Sequence, residues 1–168
     1  MEIVVLVHNI RSILNVGSIF RTSEGFGVKK IYLSGYTPSP NNGLPHVREK
    51  LKKQLHKTAL GAENIVPHEY TGNINELIKE LKEKGFQIVG LEQDKKSIPL
   101  HLFARGSDPL ANTKIALLIG EEVNGIEQKL RDLCDVLVEI PMFGQKESFN
   151  VAVATGIALY ELTMDGNE

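Results

Sequence analysis

Two polar loops decide the fold expected of this chain: GEEVNG at residues 120–125 and IPMFGQKESFNV at residues 140–151. Each loop follows an apolar run, at residues 114–119 and 136–140, that is typical of a buried strand. Each also leads into a segment with helical periodicity, so we predict that both loops leave the same end of adjacent parallel strands. Ligands bind at that end of an open α/β sheet. The two loops are therefore the first candidates for a functional site.

The rest of the chain alternates strand and helix patterns. Short apolar runs predict further strands at residues 3–7, 30–34, 65–66 and 86–91. Helical spacing and capping signals predict helices at residues 15–26, 47–59, 74–84, 126–134 and 148–163, with loops at 35–45 and 104–113. This alternation predicts one α/β domain over residues 1–168, with a parallel sheet and helices on both faces.

The composition is that of an ordinary globular domain. Of the 168 residues, 42% are hydrophobic and 24% are charged, and the net charge is −2, so a nucleic-acid site would have to be a local patch. No apolar run approaches the length of a membrane span. The single Cys134 excludes an internal disulfide and favours a cytoplasmic location. The five histidines show no metal-ligand spacing, so we predict no metal.

Residues 24–27 (EGFG) look like the acidic, glycine-rich loop of the common Rossmann-type methyltransferases. That loop must follow a strand and open a helix. Here a predicted helix precedes the segment and a predicted strand follows it. We therefore interpret Gly25 or Gly27 as the C-terminal cap of the first helix.

Three motifs follow one another along the chain, each at a predicted strand–helix junction. They are Asn15-x-Gly17-x-x-x-Arg21, then Gly120-x-Glu122-x-x-Gly125, then IPMxG at 140–144 with SFNV at 148–151. Together they resemble the SpoU (TrmH) family of the SPOUT superfamily of RNA methyltransferases, over residues 8–162. Phe149 departs from the family pattern, which usually has leucine. The resemblance implies a C-terminal deep trefoil knot, and we expect a minimal form without an N-terminal extension.

The resemblance also implies an activity, the transfer of a methyl group from S-adenosyl-L-methionine to a ribose 2′-hydroxyl of RNA, either tRNA or rRNA. The implied catalytic residues are Arg21, Asn15, Glu122, Ser148 and Asn150. The implied cofactor-binding residues are Leu91, Gly120, Ile140, Met142, Ser148, Phe149 and Asn150. Helix capping is the alternative role for Asn15, Ser148 and Asn150.

Gly17 and Arg21 lie four residues apart and so share one helical face. We expect the glycine to let a ribose or phosphate approach the backbone beside the guanidinium. Arginine stays protonated, so we expect Arg21 to bind the adjacent phosphate and stabilise the developing alkoxide. A surface ion pair with Glu24 is the alternative. The sequence leaves open whether Arg21 serves its own subunit's site or a partner's.

The most basic segment spans residues 46–57 and is offset only by Glu49. The possible phosphate contacts in it are Arg48, Lys50, Lys52, Lys53 and Lys57. A merely solvated helix face is an equal alternative for these side chains.

The last predicted helix, residues 148–163, has almost no polar face, which favours burial on both sides. We expect one side to pack on the sheet and the other on a second copy of the chain, giving a homodimer.

Two functions other than ribose methylation stay open. One is a non-catalytic RNA-binding or assembly module of the same fold, and the other is a methyltransferase that acts on an RNA base.

Overall fold

A computed structural model describes residues 1–41, 44–106 and 113–164. The described residues form one sheet, whose strands are β1 (Glu2–His8), β2 (Lys30–Ser34), β3 (His68–Thr71), β4 (Phe86–Leu91), β5 (Ile98–Pro99), β6 (Lys114–Ile119) and β7 (Val136–Glu139). Their order across the sheet is β3-β2-β1-β6-β4-β7-β5. Every neighbouring pair is parallel, which confirms the predicted parallel sheet.

Helices cover both faces of this sheet, as predicted. The helices are α1 (Ile13–Gly25), α2 (Pro45–Ala59), α3 (Ile74–Glu83), α4 (Leu100–Ala104), α5 (Gln128–Arg131) and α6 (Val151–Met164). Alternate residues of β1 enter two separate cores, because successive strand side chains point to opposite faces. Val5 packs with α1, α2 and α6, while Leu6 packs with α3. None of the helices in the described ranges is both long and apolar enough to cross a membrane.

The two polar loops do not leave adjacent strands, so that expectation is wrong. β4 lies between β6 and β7, and its Gly90 pairs with Leu118 on one side and Leu137 on the other. Long crossover connections set the order of strands in a parallel sheet, so sequence neighbours need not pair. Leu91, at the end of β4, consequently lies between the two loops.

Several boundaries differ from the predicted ones. α1 begins before Asn15, because Ser12 is its N-cap and accepts a hydrogen bond from the Asn15 amide at 3.3 Å. The predicted strand at 65–66 is wrong, since the strand begins at His68 and exposes two of its four side chains. The helix predicted over 126–134 is confined to α5, and the last helix begins at 151 rather than 148.

The predicted loop at 104–113 lies mostly outside the described residues, which resume at residue 113. β5 and α4, which precede it, were not predicted because both are short and carry no periodic signal. The EGFG segment closes α1 as predicted. The Phe26 amide donates to the Thr22 carbonyl at 3.1 Å, and Gly27 has a φ of +65°, a value that glycine adopts without strain.

Gly17 packs α1 against α2 and does not face an open surface. A Cβ at this position would lie 2.6 Å from the carbonyl oxygen of Leu55 and would collide with Oγ1 of Thr58. Thr58 Oγ1 in turn donates a hydrogen bond to the Leu14 carbonyl at 2.8 Å. The expectation that Gly17 admits a ribose or phosphate is therefore wrong, because the absent side chain serves close packing of two helices.

Candidate active site

A cleft of about 260 Å³ opens at the carboxyl ends of β4, β6 and β7. It is lined by residues 91–93, 119–125, 139–140 and 147–149, together with Val151 and Ala154. Both polar loops therefore border one cavity, at the sheet edge where parallel α/β folds bind ligands.

The GEEVNG loop closes tightly on itself. Glu121 and Gly125 form an antiparallel bridge, in which the Gly125 amide donates to the Glu121 carbonyl at 2.9 Å. A Cβ on Gly120 would lie 2.7 Å from the Gly125 carbonyl oxygen, and Gly125 itself has a φ of +67°. The loop's own backbone thus excludes a side chain at Gly120, whereas at Gly125 the left-handed backbone and the Glu92 carboxylate favour glycine.

Glu92 holds this loop from the end of β4. One of its carboxylate oxygens accepts a hydrogen bond from the Ile126 amide, and the other accepts one from the Gln93 amide at 3.0 Å. Gln93 extends the connection to β7, because its Nε2 donates to the Ile140 carbonyl at 2.8 Å. Neither Glu92 nor Gln93 is among the site residues predicted from the sequence. Their only signal was polarity directly after a buried strand.

Five of the residues predicted to bind the cofactor line the cleft: Leu91, Gly120, Ile140, Ser148 and Phe149. The Phe149 side chain remains 41% exposed, as expected for the rim of an open cavity. Met142 is half-buried outside this lining. Asn150 also lies outside it, since its side chain turns toward α1.

A chain of hydrogen bonds links the three motifs. Nδ2 of Asn15 donates to Oε1 of Glu122 at 3.1 Å, and Oδ1 of Asn15 accepts a hydrogen bond from Nδ2 of Asn150 at 3.2 Å. Asn150 also caps α6, because its Oδ1 accepts from the Ala152 amide at 3.0 Å. Glu122 lines the cleft, so one residue from each of the three motifs lies at this side of the cleft.

Arg21 lies outside this group of hydrogen-bonded side chains. It follows Asn15 by six residues on α1, which corresponds to roughly 9 Å along the helix axis. Its side chain is exposed and makes no hydrogen bond or ion pair within the described parts of the chain, so the pair with Glu24 is not formed. The next residue, Thr22, lies against Gly156 of α6, whereas Arg21 lies one turn after Gly17, which packs on α2.

Carboxylates surround the apolar part of the cleft. The five glutamates that line it are Glu92, Glu121, Glu122, Glu139 and Glu147. Hydrogen bonds with Asn124 and Tyr36, and the charge of Arg11, hold the pKa of Glu121 below its usual value. The cleft therefore combines apolar walls with negative charge, which suits a ligand that has a flat apolar part and a cationic part.

The basic segment lies on α2, toward the β3 end of the sheet, whereas the cleft spans β6, β4 and β7. Lys50, Lys52, Lys53 and Lys57 are exposed, and Arg48 is half-buried. Lys52 and Lys53 also line a second cavity of about 440 Å³. The basic side chains are thus free to meet a large polyanion, although they do not border the cleft.

These features define an α/β protein with a ligand cleft across the carboxyl ends of three parallel strands, at which three distant motifs meet. The chain belongs to the SpoU rRNA Methylase family, which it matches over residues 2–160. It is 34% identical over 149 residues to the 23S rRNA (guanosine-2′-O-)-methyltransferase of Nitrosomonas europaea, covering 88% of this chain and 50% of the relative. It is 31% identical over 160 residues to the tRNA (guanosine(18)-2′-O)-methyltransferase of Aquifex aeolicus, covering 95% and 68%.

Solved structures share the fold. The crystal structure of an AdoMet-bound rRNA methyltransferase from Sinorhizobium meliloti superposes with a TM-score of 0.80 at 25% identity, covering 96% of this chain and 55% of that one. The chain spans about half the length of the 23S rRNA relative it matches. The predicted family and α/β fold are therefore confirmed, while the C-terminal knot stays a prediction.

Proposed function

We propose that this chain transfers a methyl group from S-adenosyl-L-methionine to the 2′-hydroxyl of a ribose in RNA, which leaves S-adenosyl-L-homocysteine and releases the hydroxyl proton. The observation that carries the proposal is the hydrogen-bonded chain Glu122–Asn15–Asn150, which joins the three motifs beside one cleft. Membership of the SpoU family supports it, as do the two relatives named as guanosine 2′-O-methyltransferases.

The cleft residues fit S-adenosyl-L-methionine, which supplies an electrophilic methyl group on a cationic sulfonium. Leu91, Ile140 and Phe149 would enclose its adenine, and the glutamates around the cleft would offset its positive charge. Gly120, Ser148 and Asn150 stay in the proposed binding set. Met142 also stays in it, on the condition that residues 140–144 move toward the cleft. The AdoMet-bound structure from Sinorhizobium meliloti supports the same ligand.

The hydrogen-bonded side chains of Glu122, Asn15 and Asn150, called the polar chain below, would orient the target ribose. Asn15 is held on both sides, by Glu122 and by Asn150, so its amide has one favoured orientation. Glu122 would accept a hydrogen bond from the ribose, and Ser148, which lines the same cleft, would bind a neighbouring hydroxyl. Orientation of this kind supplies much of the rate in a transfer that needs in-line geometry.

We assign Arg21 to the phosphate next to the target ribose, where its permanent charge would stabilise the developing alkoxide. Because Arg21 is exposed and is not among the residues that line its own cleft, we propose that it serves the site of a second copy packed on α6. The exposed apolar side chains of Val153, Tyr160 and Met164 on α6 support this homodimer.

The proposed substrate is tRNA or rRNA. Arg48, Lys50, Lys52, Lys53 and Lys57 are the proposed contacts to its phosphates, and they would add affinity without reading sequence. The proposal includes a cytoplasmic location, which the single cysteine supports.

The test uses the purified chain, methyl-labelled S-adenosyl-L-methionine, and unmodified tRNA and rRNA in separate reactions. A methylated 2′-hydroxyl blocks alkaline cleavage, so we expect label in alkali-resistant dinucleotides. Asn15→Ala should lower the rate about 100-fold, because the ribose loses its orientation, while cofactor affinity stays nearly unchanged. Ser18→Ala is the matched control, since Ser18 lies on the same helix and donates only to the Leu14 carbonyl.

The other outcomes separate the alternatives. Label confined to mononucleotides would assign the chain to base methylation. Cofactor binding without transfer to either RNA would mean a missing substrate or partner, whereas an absence of both transfer and cofactor binding would favour the non-catalytic module. An Asn15→Ala variant as active as the wild-type chain would remove the polar chain from the mechanism, even if ribose methylation itself is observed.

A further inference from the structure

A tyrosine follows β2 in an unusually well-fixed turn. The turn spans residues 34–37, with the Thr37 amide donating to the Ser34 carbonyl at 3.3 Å. Gly35 has a φ of +64°, and a Cβ there would collide with the Asn9 side chain. The backbone conformation therefore requires glycine immediately before the exposed Tyr36.

Side chains from two neighbouring strands fasten this turn. Oδ1 of Asn9 accepts from the Tyr36 amide at 3.2 Å, and the Tyr70 hydroxyl donates to the Gly35 carbonyl at 2.7 Å. Oγ1 of Thr37 donates to the Val7 carbonyl and accepts from the Ile10 amide, both at 3.1 Å. The position of Tyr36 is thus fixed from β1 and from β3, which is more than a solvent-facing turn needs.

The tyrosine ring contributes little to the core. Tyr36 is 47% exposed, and the guanidinium carbon of Arg11 lies 5.3 Å from its ring centre. Arg11 is itself 74% exposed at its side chain and pairs with Glu121 at 3.1 Å. An exposed cation–π contact adds little stability, and the ion pair joins the exposed Arg11 to Glu121, whose side chain is only 12% exposed. Together with the hydrogen bond between Tyr36 and Glu121, these contacts join the two flat groups to the GEEVNG loop and not to the hydrophobic core.

The location of Tyr36 and Arg11 indicates a role at the candidate site. Glu121, the partner of Arg11, lines the cleft and directly precedes Glu122 of the polar chain. The flat groups of Tyr36 and Arg11 consequently stand at the rim of the candidate site, on the side of β1 and β2. Single-stranded RNA is recognised by stacking of its unpaired bases on aromatic rings and guanidinium planes.

We propose that Tyr36 and Arg11 form a stacking platform for an unpaired RNA base beside the target ribose. The proposal rests on the proposed function, since it names the part of the RNA that this rim would hold. The turn that carries Tyr36 is fixed before RNA binds, so binding costs little conformational entropy there. It would complement the lysines of α2, because stacking acts on bases whereas the lysines act on phosphates.

The test measures RNA binding directly and does not depend on methyl transfer. A short fluorescein-labelled oligoadenylate and a strand of equal length without bases are titrated with the full chain by fluorescence anisotropy. Tyr36→Ala should weaken oligoadenylate binding about fivefold or more, the loss expected for one stacked base. Its binding to the strand without bases should be unchanged. Tyr36→Phe keeps the ring and should bind both strands as the wild-type chain does.

Three results would overturn the platform: no oligoadenylate binding by the wild-type chain, equal binding by the wild type and Tyr36→Ala, or equal losses for both strands. Equal losses would mean a structural or purely electrostatic role. Failure of the proposed function is recognised separately, as an absence of methyl transfer by a chain that still shows the base-dependent loss.

Discussion

At the scale of single residues, His8 shows how burial sets the charge of a side chain. It ends β1 and is buried, with Nδ1 2.8 Å from Oγ of Ser34. Burial lowers the pKa of His8 below its ordinary value, and the negative charge of Glu127 opposes this shift only in part. The folded chain therefore resists protonation of His8 more than the unfolded chain does.

This predicts a loss of stability in mild acid. The unfolded chain takes up a proton on His8 as the pH falls through the ordinary histidine pKa of 6.5, while the folded chain takes it up only at lower pH, so acid favours unfolding. His8→Asn removes this titration and should flatten the fall in the free energy of unfolding from about pH 7 to about pH 5. Urea unfolding of both chains across that range is the measurement. Parallel curves would mean that His8 does not contribute.

At the scale of elements, the contact between α1 and α2 depends on one missing side chain. Gly17→Ala should lower the free energy of unfolding by about 1–3 kcal/mol, because the new methyl group forces the helices apart at Leu55 and Thr58. Gly25→Ala is the control, since nothing lies within 4 Å of a Cβ at that position. Urea unfolding of the two variants checks the prediction. If the Gly17→Ala variant has normal stability but has lost methyl transfer, the explanation by helix packing is wrong and Gly17 contacts the substrate.

At the scale of the whole molecule, α6 divides its apolar surface between the core and solvent. Ala158, Leu159 and Leu162 are buried, whereas Val153 and Tyr160 are about half exposed. A helix that is apolar all round is normally covered on every side. The exposed half is the surface on which we propose that a second copy packs.

We predict a dimer that is disrupted when one charge is introduced on the exposed side of α6. Light scattering of the wild-type chain at micromolar concentration should give twice the monomer mass, and Val153→Glu should give the monomer mass with normal folding, because an isolated glutamate is costly to bury. Ile65→Glu is the control, since Ile65 is an exposed apolar residue outside α6. A monomeric wild-type chain would contradict the interpretation of α6 and the proposed shared role of Arg21.

Local signals were enough to predict most of the elements. The Asn73 cap and the left-handed Gly85 bound α3 within one residue of the predicted range 74–84, and the apolar runs of β2, β4 and β6 were predicted to the residue. These signals depend on neighbouring residues only, such as a side chain that accepts from an amide three positions on. The strand at 65–66 was misplaced because two apolar residues carry no measurable period.

The sequence by itself thus determined the alternation of strands and helices, the family, and the three motifs that carry the candidate site. The tertiary structure alone decided that β4 separates β6 from β7 and that Glu92 holds the GEEVNG loop. It also decided that Gly17 faces a helix, and that Asn15 meets Glu122 across 107 positions of the chain. The physical reason is range: capping and periodicity act over a few residues, whereas strand order and contacts between distant side chains depend on how the crossover connections pack the whole sheet.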